Sequence, residues 1–425
     1  MAKNGSLVKC CLGPVLFVAN QGMGLISDCI NRKPDYILSD RARELAAYII
    51  DYVSSLVNIS CVMRRKRKAL EKRTVRKILI IRIDRLGDLI WTSPVITNLK
   101  AAFPNAEITA VVSPAGASLL KHDSRLSRVF TYHTWRYAPM GEGKHFGQRI
   151  GILSSLHKQD FDLIFHFRTT LGFLILGVFS KAINVARGTE SVGLHSVQKS
   201  LACLEAMDIP ANKSELSIFL GKEDFLFARE TFSKAGVLES DFVIGIHPGA
   251  GNESRRWDVR NFGRVMKELK QMSGNIRFVI FGGSSDVERT NAIMAISEVP
   301  DVISLAGKTT VSQMGALLKK CDLFIGQDTG PTHLASAFKV PVVVIWGNEL
   351  FEFAHPWTDS DLYTVITNPL DCRPCMYFEC TKGYECIRSI SPGRIVETVV
   401  KQIRILDSNI ELNEVQGDLP LQGLM

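Results

Sequence analysis

The chain alternates short apolar runs with helical stretches, and it does so twice over. No other feature narrows the fold as far. Lys77-Ile78-Leu79-Ile80-Ile81-Arg82-Ile83 is rich in isoleucine and almost unbroken, the pattern of a parallel strand buried on both faces. A tight turn, Asp84-Arg85-Leu86-Gly87, leads to a helix expected from about Asp88 to Ala102, stopped by Pro104 and Asn105. Glu107–Val112, Val129–Tyr132 and Asp162–Phe167 read as further strands. After a polar stretch around residues 221–241 the grammar restarts. Phe242–Ile246, Ile276–Phe281, Val302–Leu305, Leu323–Ile325 and a last strand, Val340–Trp346, alternate with helices at Val259–Met272, from Asp286, Val311–Lys320 and Thr332–Phe338. Two successive βαβ series predict an α/β protein with two doubly wound sheets, whose ligands bind at the carboxyl ends of the strands.

Composition excludes some classes. Of 425 residues 46% are apolar and 22% charged, which argues against wholesale disorder and against a polytopic membrane protein. The net charge is +8 but unevenly placed. Residues 1–77 hold 15 Lys and Arg against 6 Asp and Glu, so the rest is close to neutral. A neutral body argues against nucleic acid as a partner, and a basic tail suits an anionic surface. Asp40 can cap a helix carrying Leu45, Ala46, Ile49, Ile50, Val53, Leu56 and Val57. Asp51 inside that run opposes a membrane-spanning role. Arg64, Arg65, Lys66, Arg67 and Lys68 follow directly, each worth about 1 kcal/mol near an anionic leaflet. The expectation is peripheral attachment to the inner face of the cytoplasmic membrane, with a solvated helix packed on the body as the alternative. Met1-Ala2-Lys3 opens no signal peptide, so six scattered cysteines read as reduced core thiols of a cytosolic protein.

Several motifs fail. Gly22-Met23-Gly24 lacks a third glycine and a βαβ unit after it. Gly307-Lys308-Thr309 resembles the end of a phosphate loop, but Val302 stands where its first glycine belongs. No G-x-G-x-x-G follows a strand and no G-x-S-x-G elbow exists. What remains are polar residues at strand ends. Asp88 follows Gly87 where strand hands over to helix; it either accepts a proton from a substrate hydroxyl or caps the helix. His247-Pro248-Gly249-Ala250-Gly251 follows a strand, with Arg255 and Arg256 beyond to neutralise phosphate. Gly326-Gln327-Asp328-Thr329-Gly330-Pro331-Thr332-His333 opens a helix whose amides and dipole suit a diphosphate. There Asp328 orients the loop or accepts sugar hydroxyls, and His333 donates to a leaving phosphate or is a satisfied core histidine. Asp286, after Gly282-Gly283, stands where ribose hydroxyls could be held.

Taken together these segments resemble glycosyltransferase family 9, the ADP-heptose:lipopolysaccharide heptosyltransferases. The likeness lies in Lys77–Asp88, Thr92-Ser93-Pro94, His247-Pro248-Gly249-Ala250 and Asp328-Thr329-Gly330-Pro331-Thr332-His333-Leu334-Ala335, and runs from about Arg76 to Val400. The resemblance implies a GT-B architecture, two Rossmann-like domains facing a cleft. It implies an acceptor domain at 76–238 and a nucleotide-sugar domain at 239–406, followed by a tail at 407–425; the extension at 1–75 is a departure, since typical members begin close to the first strand. It implies an inverting transferase that moves heptose from ADP-heptose to a lipid-linked envelope glycan, with no metal needed for catalysis. Another nucleotide sugar, a protein acceptor, or a non-catalytic nucleotide-sugar-binding scaffold are the alternatives. Asp88 matches the family's catalytic carboxylate. Gly249, Arg255, Asp328, Thr329, Gly330 and His333 match its donor site, with arginine at 255 in place of the usual lysine. Asp286 matches the ribose contact, with Glu288 the alternative.

Cys372, Cys375, Cys380 and Cys386 lie within 15 residues. The first pair has metal-ligand spacing, so the cluster reads as a structural Zn or Fe site, as free thiols or as disulfides.

Overall fold

The computed structural model describes residues 74–133, 146–168, 173, 176, 180, 182–186, 193–347, 351–372, 380, 382–407, 410 and 412. The helix expected from Asp40, the basic run 64–68 and Cys375 lie outside these residues. Among the described residues no helix is long and apolar enough to cross a membrane.

The first half holds strands β1 (Lys77–Arg82), β2 (Glu107–Val112), β3 (Arg128–Thr131), β4 (Leu163–Arg168) and β5 (Ile183–Ala186). Its helices are α1 (Leu86–Ile90), α2 (Ser93–Ala102), α3 (Pro114–Leu120), α4 (Phe146–His157), α5 (Ser196–Glu205) and α6 (Lys222–Lys234). The strands form one parallel sheet in the order β3-β2-β1-β4-β5. The second half holds β6 (Phe242–Ile246), β7 (Ile276–Ile280), β8 (Ile303–Ser304), β9 (Leu323–Gln327), β10 (Val342–Ile345) and β11 (Tyr363–Ile366). Its helices are α7 (Val259–Met272), α8 (Val287–Ser297), α9 (Val311–Leu318), α10 (Gly330–Ala337), α11 (Phe351–Ala354), α12 (Glu385–Arg388) and α13 (Pro392–Leu406). These strands form a second parallel sheet, ordered β11-β10-β9-β6-β7-β8.

Because successive side chains on a strand face opposite ways, each sheet needs two covers. Ile78 and Ile80 pack with Val95, Leu99 and Phe165, while Leu79 and Ile81 pack with Ile152, Leu156 and Phe173 on the other face. In the second sheet Phe242, Ile244 and Ile246 pack with Phe262 and Val399, whereas Val243, Phe324 and Val344 face the opposite side. That opposite side belongs to the same buried cluster as Ile78 and Ile80, so one apolar core is continuous across both halves. Helix α6 packs on α9, and Ser312 of α9 donates to the Ser118 carbonyl of α3 at 2.5 Å.

Three local differences from the sequence expectation have physical causes. The helix expected over 88–102 is two helices, broken at Trp91-Thr92. Pro94 has no amide to give the Ile90 carbonyl, and the Ser93 hydroxyl takes that carbonyl at 2.8 Å. Val340–Trp346 is not the last strand: β11 pairs beyond β10. As a half-buried edge strand of four residues, it carries no long apolar run. Strand β5, Ile183–Ala186, is interrupted by Asn184 and so carries no apolar run to mark it.

Candidate active site

In each sheet the chain reverses its direction of winding at one place, between β1 and β4 in the first and between β6 and β9 in the second. Loops leaving such a point diverge and open a crevice at the carboxyl ends. The candidate residues cluster there: Asp88 after β1, His247–Gly251 after β6, and Asp328–His333 after β9.

Asp88 does not cap its helix. It is the third residue of α1, whose N-cap is Arg85, and its Oδ1 accepts from Nη2 of Arg82 at 2.8 Å. The Nε of Arg82 stands 3.1 Å from Oδ1 of Asp84. The Arg82 side chain is 0% exposed and that of Asp88 26%. A guanidinium buried at a strand end is costly unless paired, so two carboxylates hold it and one of them keeps a face to solvent. Sequence reasoning quoted Arg82 but gave it no role. Its signal was a charge closing an otherwise apolar strand.

On the second half, Asp328 is almost wholly buried between Arg255 and His333. Its Oδ2 lies 3.3 Å from Nη1 of Arg255, and its Oδ1 lies 3.2 Å from Nε2 of His333. The same Arg255 nitrogen donates to the Asp328 carbonyl at 3.2 Å. Burial pulls the Arg255 guanidinium below its ordinary range, Asp328 opposes that, Arg85 adds to it and Asp88 opposes it. Arg255 thus feels charges from the loop after β1 as well as from its own half. The Nδ1 of His333 is buried with no hydrogen-bond partner among the described residues. Asp286 comes against Gly249, where a Cβ would stand 2.6 Å from its Oδ1, and its Oδ2 accepts from the Gly283 amide at 2.9 Å. Glu288 is exposed on α8, so Asp286 is the carboxylate the fold brings to this loop.

Gln327 was missed by sequence reasoning, and no local pattern marks it. Its side chain is fully buried at the end of β9. It donates to the carbonyls of Pro248 at 2.9 Å and Gly249 at 3.2 Å, and its Oε1 accepts from the Trp257 amide. One amide group therefore ties the loops after β6 and β9 into a single cradle. Thr329 is the N-cap position of α10, and its Oγ1 lies 3.4 Å from Nδ1 of His247.

The halves meet at two glycines. A Cβ on Gly87 would stand 2.9 Å from Cδ2 of His333, and a Cβ on Gly330 would stand 2.9 Å from Cβ of Leu86. Trp91 lies on His333, with ring centroids 4.3 Å apart, and packs edge-on to His195 at 5.4 Å. His195 caps α5: its Nδ1 accepts from the Val197 amide at 3.1 Å, and its Nε2 lies 3.0 Å from the His355 carbonyl. An Nδ1 that accepts and an Nε2–H that donates define a neutral ring. Burial, then the neighbouring His355, push its pKa down to about 3. Burial likewise lowers His247 to about 4, against the pull of Asp286.

These shifts set a sign. A histidine held neutral in the fold binds a proton in the unfolded chain from about pH 6.5 downward. The stability it contributes is therefore full above about 6.5 and is lost as pH falls towards 4 and then 3. Unfolding temperature should drop steadily over that window, and the slope should be smaller for His195→Asn, whose amide can still cap α5. Equal slopes for the two proteins would remove His195 from this account.

Cys386 is buried, and Cys372 and Cys380 are partly exposed. Cys380 Sγ accepts from the Tyr384 amide at 3.3 Å. Among the described residues no three His, Cys, Asp or Glu side chains are grouped to hold a metal ion.

Two doubly wound halves, each with candidate residues at the carboxyl ends of its strands, have the GT-B architecture. Residues 179–384 match the model of glycosyltransferase family 9 (heptosyltransferase). Lipooligosaccharide heptosyltransferase 2 of Campylobacter jejuni is 26% identical over 324 residues, 74% of this chain and 96% of that protein. Lipopolysaccharide heptosyltransferase 3 of Escherichia coli is 23% identical, over 64% of this chain and 83% of that one. In fold, the chain is similar to a family 9 glycosyltransferase from Veillonella parvula, with a TM-score of 0.65 at 19% identity over 79% and 99% of the two chains. It is also similar to ADP-heptose lipopolysaccharide heptosyltransferase II of E. coli, with a TM-score of 0.61 at 18% identity over 77% and 98%. In sequence and in fold the chain is thus similar to family 9 heptosyltransferases.

Proposed function

We propose that the protein is an inverting heptosyltransferase that moves a heptose from ADP-heptose to a hydroxyl of a lipopolysaccharide-core or related envelope glycan. One observation carries the reading: Asp88, held at one oxygen by Arg82 and open to solvent at the other side, works opposite the Arg255–Asp328–His333 cluster. The names of the relatives, lipooligosaccharide and lipopolysaccharide heptosyltransferases, support the sugar and the acceptor class.

In this reading residues 76–238 hold the acceptor and residues 239–406 the nucleotide sugar. The acceptor hydroxyl gives its proton to Asp88 as its oxygen forms a bond to the anomeric carbon. The bond from that carbon to the diphosphate oxygen breaks, and ADP leaves with the electron pair. Attack from the face opposite ADP inverts the configuration. A positioned base contributes about 10²–10⁴-fold. Arg255, the amides of Thr329 and Gly330 and the dipole of α10 meet the charge on the diphosphate. His333 holds Asp328, which in turn aims Arg255, and Asp286 takes the ribose hydroxyls beside Gly249. No step is assigned to the four cysteines, and the metal content of the purified protein distinguishes a structural Zn or Fe ion from free thiols. Residues 45–77, apolar and then basic, are assigned to peripheral attachment at the inner membrane face, where a lipid-linked acceptor lies.

Thermal unfolding with ADP-heptose, UDP-sugars and GDP-sugars tests the donor. A ligand at 100 times its dissociation constant adds about 2.7 kcal/mol. ADP-heptose should raise the unfolding temperature and the others should not. Stabilisation by a UDP- or GDP-sugar alone overturns the assignment.

A further inference from the structure

The arrangement around β1 holds more than a base. Arg82, Asp84 and Asp88 lie at the strand end, in the turn and in the first turn of α1. One guanidinium, wholly buried, is shared by two carboxylates: Nη2 meets Oδ1 of Asp88 at 2.8 Å and Nε faces Oδ1 of Asp84 at 3.1 Å. An arginine free to choose grips a carboxylate with two parallel bonds and occupies both oxygens. Here Asp84 stands at the Nε edge and closes the Nε–Nη2 fork to Asp88, which is met through Nη2 alone, while Nη1 has no hydrogen-bond partner among the described residues. Its Oδ2 has no hydrogen-bond partner among the described residues, and the side chain retains 26% exposure while that of Asp84 retains 11%. The ring of Phe167, 5.9 Å from the guanidinium carbon, closes a further side of Arg82.

We infer that Arg82 and Asp84 are a pair of positioning residues for the proposed base: Arg82 fixes which oxygen of Asp88 faces the groove, and Asp84 keeps Arg82 from engaging both. The inference rests on the proposed role of Asp88. Two carboxylates share this one buried cation, with Arg85 and Arg255 the further cations that face the loop, so Asp88 is only partly neutralised by Arg82 and keeps an oxygen for the hydroxyl proton. Without Asp84 the arginine closes on Asp88 and quenches it. Without Arg82 the carboxylate loses its fixed direction.

The test uses the full chain with ADP-heptose and an acceptor glycan, and compares Asp84→Asn, Arg82→Lys, Arg82→Gln and Asp88→Asn. Asp84 is partly exposed and its replacement keeps size and fold, so that variant reports even if Arg82→Gln unfolds. For Asp84→Asn, kcat should fall about tenfold, with the donor KM unchanged and the acid limb of the pH–rate profile moved to lower pH. Arg82→Gln should move that limb to higher pH, and Arg82→Lys should recover part of the lost rate. A merely structural pair would not shift the limb in opposite directions. If Asp84→Asn keeps kcat within twofold and leaves the limb in place, the inference is overturned while Asp88 stands. If Asp88→Asn itself turns over normally, the reading of the base falls instead.

Discussion

Asp88→Asn should abolish sugar transfer, lowering kcat by about 10²–10⁴-fold, while ADP binds within about twofold of its normal affinity. The asparagine keeps the shape of the aspartate, and its Oδ1 can still accept from Arg82, so α1 and its packing on α10 survive. What is lost is a site for the hydroxyl proton. In the proposed reading ADP is held by groups after β6 and β9, whereas Asp88 is held from β1 by Arg82. Steady-state kinetics beside calorimetric titration with ADP separate the two effects. Turnover within tenfold of the parent would mean that the proton goes elsewhere.

Gly347→Ala should weaken donor binding by tenfold or more and destabilise the fold by about 1–3 kcal/mol, although residue 347 carries no functional group. Gly347 follows β10 and is buried. A Cβ there would stand 2.2 Å from the Ser254 carbonyl oxygen and 3.6 Å from Cα of Arg255. Both neighbours are backbone, so no flexible side chain can swing aside. The single turn Glu253–Arg255 must shift, and it carries the guanidinium that meets Asp328. Gly274, whose Cβ would meet open space, supplies the control: alanine there should leave ADP affinity unchanged. Unchanged ADP affinity in Gly347→Ala, measured by titration, would show that the turn is not held by this contact.

Much of the fold was legible because both sheets are parallel and covered on two faces. Such strands are apolar throughout, so Lys77–Arg82, Glu107–Val112 and Phe242–Ile246 announce themselves. Edge strands have no such signature, which hid Tyr363–Ile366. The break after Trp91 was written in Pro94 yet lost within a helical pattern that continues on either side. The candidate residues at strand ends were legible as polar groups between small ones. Their partners were not, since partnership is long-range: Gln327 reaches back 79 residues to the Pro248 carbonyl, and His195 reaches 160 residues on to His355. Neither spacing nor periodicity encodes such distances.

The apolar core that runs unbroken from the first sheet to the second has a practical side. Recombining family members to mix acceptor and donor preferences invites a cut in the stretch between α6 and β6. That cut would strand α6 with the wrong partner, because this helix lies on α9. Phe232 and Ala228 on α6 belong to the same cluster as Leu317 of α9. A crossover placed ahead of Gly221 keeps that helix with the surface it was shaped against, and a hybrid made there inherits one intact seam instead of two mismatched ones.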